Sequence, residues 1–192
     1  MTVIDARPLR PRHTLSPRAR RRAAETGAPP PPASFAVAET EADVTGLDGD
    51  LLPYVAKAAV EAMPAGSVHL AAGRDGAVIR HADELSLAGL RRRLNEPRTD
   101  PRAGAANLTL AVSGLLGETL PPEPAQAGTL VIGAAVERPA IVRTSDGDPA
   151  IAVRSLARLT FAYHGELLGR ADAARFLTAV KHRLEAPWTS AG

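Results

Sequence analysis

The 192-residue chain contains no cysteine. Disulfides, thiolate metal sites and a cysteine nucleophile are therefore excluded. Aromatic residues make up only 3% of it, so a core must be built mainly from Ala, Val and Leu. No run approaches the length of apolar sequence needed to cross a bilayer. Arginines open the chain, but no apolar stretch follows them, so no secretory signal is expected. The expected location is the cytoplasm, without a membrane partner. There is no G-x-G-x-x-G, no P-loop and no H-E-x-x-H, and no metal is expected.

What is present suits one globular domain. Apolar residues account for 45% of the chain, and its length is enough for a substantial core. The 17 Pro and 16 Gly imply sizeable loops or linkers. Net charge is +2 but unevenly spread. Residues 1–25 hold seven arginines against Asp5 and Glu25, about +5, so the remainder is mildly acidic. RPRHTLSPRARRR could be a nucleic-acid arm, but no aromatic interleaves the arginines and the body behind them is not basic. Nucleic acid is not an expected partner. The division read from the sequence is a basic arm, short helix and Pro-rich linker over 1–33, and a globular domain over 34–192.

Within the arm, Ser16 to Gly27 reads as a short helix, with Ser16 at the N-cap, Pro17 at the first helical position and Gly27 as the stop. APPPPAS is a stiff linker. Ser34 to Val44 has strand character, with acidic residues on one side. Asp50 to Met63 is a helix by the spacing of Leu51, Leu52, Val55, Ala59, Val60 and Met63. SVHLAA and GAVIRHA are strand candidates around a GRDG turn. Asp83 to Asn95 reads as a second helix, with Leu85, Leu87, Leu90 and Leu94 inward. ANLTLAVSG is a strand ending at Ser113, and GTLVIGAAV suits a strand buried on both faces. PAIVRT, an SDGD turn and AIAVRSLARLTFAYH form a hairpin with a long second strand. Arg170 to Glu185 is the last helix. Helices and strands do not alternate regularly, which argues for an α+β fold.

His69 and His81 fall on the short strands without carboxylates at ligand spacing, and are read as structural or surface residues. His182 falls on the outer side of the last helix. His164 differs. Leu159, Phe161 and Tyr163 share one strand face, while Thr160, Ala162 and His164 point to the other, among small groups. Ser113 also ends a strand. A His and a Ser at strand ends fit acyl transfer, with imidazole as base and hydroxyl as oxyanion donor. They equally fit an inert surface.

From about Leu15 to Pro187 the chain resembles the catalytic domain of the 2-oxo acid dehydrogenase acyltransferases, the dihydrolipoamide acyltransferase (E2) components, whose fold is shared with chloramphenicol acetyltransferase. The resemblance is carried by PAQAGTLVIGAAVERPAIV and LTFAYHGELLGRADAARFL, and less strongly by ASFAVAETEADVTGL, VIRHADELSLAGL and LTLAVSGLLG. It implies an α+β two-layer sandwich of a mixed β-sheet and helices. It also implies a homotrimer or a multiple of trimers, in which the histidine of one subunit faces the serine of its neighbour. Carried over, His164 is the general base and Ser113 the oxyanion donor, acting on a coenzyme A or carrier-protein thioester. Partners implied are an acyl carrier or lipoyl protein and a small-molecule acceptor. This chain shows no lipoyl-type hairpin around its lysines, so the acceptor would be supplied in trans.

The sequence also departs from the family motif. That motif is Asp-His-Arg, then three positions, then Gly preceded by Asp or Asn. Here it reads Tyr163-His164-Gly165 and Leu168-Gly169. The polar groups that orient the histidine are replaced, which makes an impaired or repurposed scaffold, partner subunit or binding protein the alternative expectation.

Overall fold

The computed structural model describes residues 35–63, 68–72, 78–96, 106–115, 117–122, 126–165 and 167–188. The helix expected over 16–27, the Pro-rich linker and the GRDG turn lie outside the described residues. The elements in chain order are β1 (Phe35–Asp43), α1 (Leu52–Ala62), β2 (Leu70–Ala72), β3 (Val78–Ile79), a 3-10 turn (Ala82–Glu84), α2 (Leu87–Asn95), β4 (Leu108–Val112), β5 (Gly128–Ile132), β6 (Val136–Arg143), β7 (Pro149–His164) and α3 (Arg170–Glu185).

One seven-stranded sheet runs in the order β1-β7-β5-β4-β2-β3, with β6 also paired to β7. β2, β4 and β5 are parallel to one another and the remaining pairings are antiparallel. The three helices lie on one face, so the architecture is the expected α+β two-layer sandwich. β7 organises the sheet. Its last residues pair with β5, from Ile132↔Leu159 to Gly128↔Tyr163, and its first pair with β6, from Arg143↔Pro149 to Val136↔Leu156. β1 runs along the opposite edge, from Phe35↔His164 to Asp43↔Leu156. The start of β7 and all of β6 therefore project as a two-stranded arm beyond the body.

Alternation places Leu159, Phe161 and Tyr163 toward the helices, where all three are buried. Phe161 packs against Phe176 of α3, with centroids 4.6 Å apart, and stacks on Tyr163 at 5.6 Å. α3 buries Ala173, Phe176, Leu177, Val180 and Leu184, a stripe at helical spacing. β5 is buried at every position, as its unbroken apolar run implies. With so few aromatics, Ala56, Ala58 and Ala59 let α1 approach the sheet and α3 closely. The end of the described chain is tied back: the Arg183 guanidinium lies 3.5 Å over the Trp188 ring, which meets Tyr54 edge-on at 5.1 Å.

Two expectations need correction. The second helix does not begin at Asp83. Ala82–Glu84 form a 3-10 turn, and α2 starts after Ser86, whose hydroxyl accepts the Gly89 N–H at 3.1 Å. That side chain satisfies a donor the helix cannot, so the boundary falls there. Leu90 is buried and Leu85, Leu87 and Leu94 pack on the core as expected. Neither His69 nor His81 lies on a strand. His69 precedes β2, and His81 sits in a left-handed turn with φ 51°. Its N–H is directed at His69 Nδ1 at 3.3 Å and the two rings meet edge-on at 5.2 Å.

Candidate active site

The helix-free face of the sheet carries the even-numbered residues of late β7. Thr160 and Ala162 are buried and His164 is 9% exposed. Their cross-strand partners continue the row: Glu39, Val37 and Phe35 on β1, then Val131 and Thr129 on β5, and Ala111 and Thr109 on β4. On the inner strands the groups are small, as the sequence suggested. His164 is the last residue of β7, and the chain turns at once: its carbonyl accepts from both Leu167 N and Leu168 N at 2.9 Å. This tight turn positions the histidine backbone and sends the chain into α3 from Gly169.

Ser113 follows β4 and is buried. Its N–H donates to the Ile132 carbonyl at 2.8 Å, continuing the ladder for one more residue. Its Oγ accepts from Leu115 N at 3.1 Å, and its O–H has no acceptor among the described residues. By alternation from Thr109 and Ala111, it faces the same side of the sheet as His164.

The two residues do not meet within one chain. Ser113 lies at the level of Gly133, the residue after β5, whose N–H donates to the Arg158 carbonyl on β7. His164 is six residues farther along β7, about 20 Å away at the rise of a strand. They occupy opposite ends of one sheet face. The segment Gly117–Pro122 crosses that face between them. Gly117 packs beside Arg158, and the Pro121 carbonyl lies 3.5 Å from Thr129 Oγ1. Thr109 Oγ1 donates to Gln126 Oε1 at 2.5 Å.

The support around the histidine also differs from a polar motif. Leu168 packs against the hydrophobic core. Tyr163 is buried on the helix side. Phe35, directly across from His164, was not singled out by sequence; its partner depends on which strand β1 joins and in what register. The other histidines among the described residues are elsewhere. His69 and His81 lie at the β2–β3 edge, and His182 is exposed on α3. Near that edge Asp83 accepts the Val68 N–H at 2.8 Å, and this bond holds its carboxyl below the usual range. No group of acidic and histidine side chains suited to a metal occurs among the described residues. An open cavity of about 560 Å³ bounded by Asp43, Arg154, Glu185 and Trp188 contains neither His164 nor Ser113.

No family model matches the chain. Over 119 residues it is 38% identical to the dihydrolipoyllysine-residue acetyltransferase component of the pyruvate dehydrogenase complex of Mycobacterium bovis, a match covering 56% of this chain and 22% of that protein. Over those residues the chain is similar in sequence to a dihydrolipoamide acyltransferase (E2) component. The match spans about a fifth of that relative's length. The fold agrees. A probable dihydrolipoamide acetyltransferase from Listeria monocytogenes superposes with a TM-score of 0.67 at 20% identity, covering 85% of this chain and 87% of the other. Chloramphenicol acetyltransferase superposes with a TM-score of 0.50 at 13% identity, covering 78% and 88%. This E2-like chain thus has the chloramphenicol-acetyltransferase-like fold. Among its described residues no helix is long and apolar enough to cross a membrane.

Proposed function

We propose that this E2-like chain is an acyltransferase that works at the boundaries of a homotrimer, moving an acyl group between a thioester and an acceptor supplied in trans. The thioester is carried by coenzyme A or a carrier protein. One observation carries the reading: His164 and Ser113 lie at opposite ends of one sheet face. A head-to-tail ring of copies sets the His164 end of one against the Ser113 end of the next. His164 takes the proton of the attacking thiol or hydroxyl, which adds to the thioester carbonyl. Ser113 donates its O–H to the tetrahedral oxyanion. Collapse expels the thiolate, which recovers the proton from the imidazolium. No acyl-enzyme forms, so the lack of cysteine is no obstacle.

The exposed apolar surface supports assembly of this kind. The arm presents Pro139 and Ile141 opposite Val153 and Ile151 on one face, all exposed. An exposed apolar face of this kind fits a contact between copies. The M. bovis relative is named as an acetyltransferase of a dehydrogenase complex; for this chain, a carrier-protein or small-molecule acceptor is proposed.

The experiment is acyl-coenzyme A turnover by the purified chain and by His164→Ala, with dihydrolipoamide as acceptor. A loss of at least a hundredfold in the variant is expected. Equal rates would remove the proposal. A repurposed, non-catalytic scaffold is the second reading, and Leu168 favours it: a side chain committed to the core stands where the family motif carries Asp or Asn. Absence of turnover in the unmodified chain, with an intact trimer, would establish that reading.

A further inference from the structure

Resting on the acyltransferase reading, we infer that the site selects an acyl group larger than acetyl, by means of an apolar collar built from Phe35 and Val37 of one subunit and Leu115 of the next.

The described chain exposes seven large hydrophobic side chains. Three belong to the arm: Ile141, Ile151 and Val153. Of the other four, Val112 projects from the helix side of the sheet and three stand at the two half-sites. Phe35 is 41% exposed and pairs with His164, and Val37 is 44% exposed and pairs with Ala162 two residues before it. Antiparallel partners project from the same face, so both side chains stand beside the histidine on the helix-free side. Leu115, 63% exposed, follows Ser113 closely, and its N–H closes the turn on the serine hydroxyl. Each candidate catalytic group is therefore buried, with exposed apolar side chains near it: Phe35 and Val37 by His164, and Leu115 by Ser113. Farther along β1 the same face turns acidic, with Glu39, Glu41 and Asp43. Glu41 is held by Arg138 at 3.1 Å. The apolar surface on β1 is thus confined to its first residues, beside the histidine.

When His164 of one subunit meets Ser113 of the next, Phe35 and Val37 of the first and Leu115 of the second come together around the reacting carbonyl. An acetyl group offers one methyl to such a wall. A butyryl, hexanoyl or benzoyl group buries apolar area against it, and each buried methylene raises affinity about fourfold.

The test uses the full chain and a series of acetyl-, butyryl-, hexanoyl- and benzoyl-coenzyme A. Binding is measured by calorimetry and turnover by loss of thioester absorbance with dihydrolipoamide. Hexanoyl, longer by four methylenes, is expected to bind and turn over about 250-fold better than acetyl when all four are buried. Phe35→Ser with Val37→Ser is expected to flatten this series while the trimer, followed by light scattering, persists. His164→Ala should abolish turnover yet keep the chain-length dependence of binding. A flat series in the unmodified protein, or loss of the trimer in the β1 double variant, overturns the collar. Equal turnover by His164→Ala instead overturns the catalytic reading and leaves the binding series to decide the collar separately.

Discussion

Gly128→Ala is expected to destabilise the domain out of proportion to the one methyl it adds. Gly128 opens β5, between β4 and β7, and pairs with Tyr163. A Cβ there would lie 2.6 Å from the Ala162 carbonyl oxygen and 2.6 Å from Cζ of Phe161, with Cε2 closer still. Relief to ordinary contact needs about 0.8 Å of movement on two sides at once. One obstacle is backbone of the neighbouring strand. The other is a ring wedged between Phe176 and Tyr163. Overpacking costs about 1–3 kcal/mol, and two rigid neighbours place this site near the upper end. For a domain of this size, about 3 kcal/mol lowers Tm by about 6–12 °C. The assay is thermal unfolding at fixed protomer concentration, since assembly adds to apparent stability. A double-mutant cycle sharpens it. Phe161→Leu removes the ring but not the Ala162 carbonyl, so the Gly128→Ala cost should fall by about half in that background. A Tm within 1 °C of the parent for Gly128→Ala, or full additivity in the cycle, would refute the packing argument.

Further expectations follow from local features. Ser86→Ala removes the cap of α2 and should cost about 1 kcal/mol, read as a Tm shift of about 2–4 °C. Asp83→Asn keeps an acceptor for Val68 N but removes the charge. Because the folded carboxyl titrates below its ordinary value of 3.8, its contribution is full above that value and lost as pH falls through the folded pKa. The stability gap between parent and variant, from denaturant melts, should therefore close only in strong acid. Ile151→Lys places a charge in the apolar face of the arm and should leave a folded monomer by light scattering; an intact trimer would exclude the arm from the interface.

Much of the fold was legible because its signals are local. The stripe of α3, the continuous apolar run of β5 and the Ser-Asp-Gly-Asp turn between β6 and β7 each declare their element from neighbouring residues. The start of α2 was misread because Asp83 and Glu84 resemble a first helical turn, while the capping hydroxyl lies beyond them at Ser86. The strand character of His69 and His81 was misread because the β2–β3 ladder is only two residue pairs long. His164 and Ser113 were identifiable as residues, but their separation was not. It is set by the stagger of β4, β5 and β7, which depends on pairing across distant parts of the chain. Phe35 was invisible as a neighbour of His164 for the same reason. Leu168 stood out as a departure from the family motif, but its place in the core required the turn after β7.

The central claim is that His164 and Ser113 act from different subunits, and subunit mixing tests it most directly. His164→Ala and Ser113→Ala chains are each inactivated, then unfolded together in equal amounts and reassembled. In a ring, an S113A subunit supplies the intact histidine and its H164A neighbour supplies the intact serine. Random mixing then restores about a quarter of the parental turnover. Activity no higher than that of the two variants refolded separately, in trimers shown to be mixed, would contradict the account.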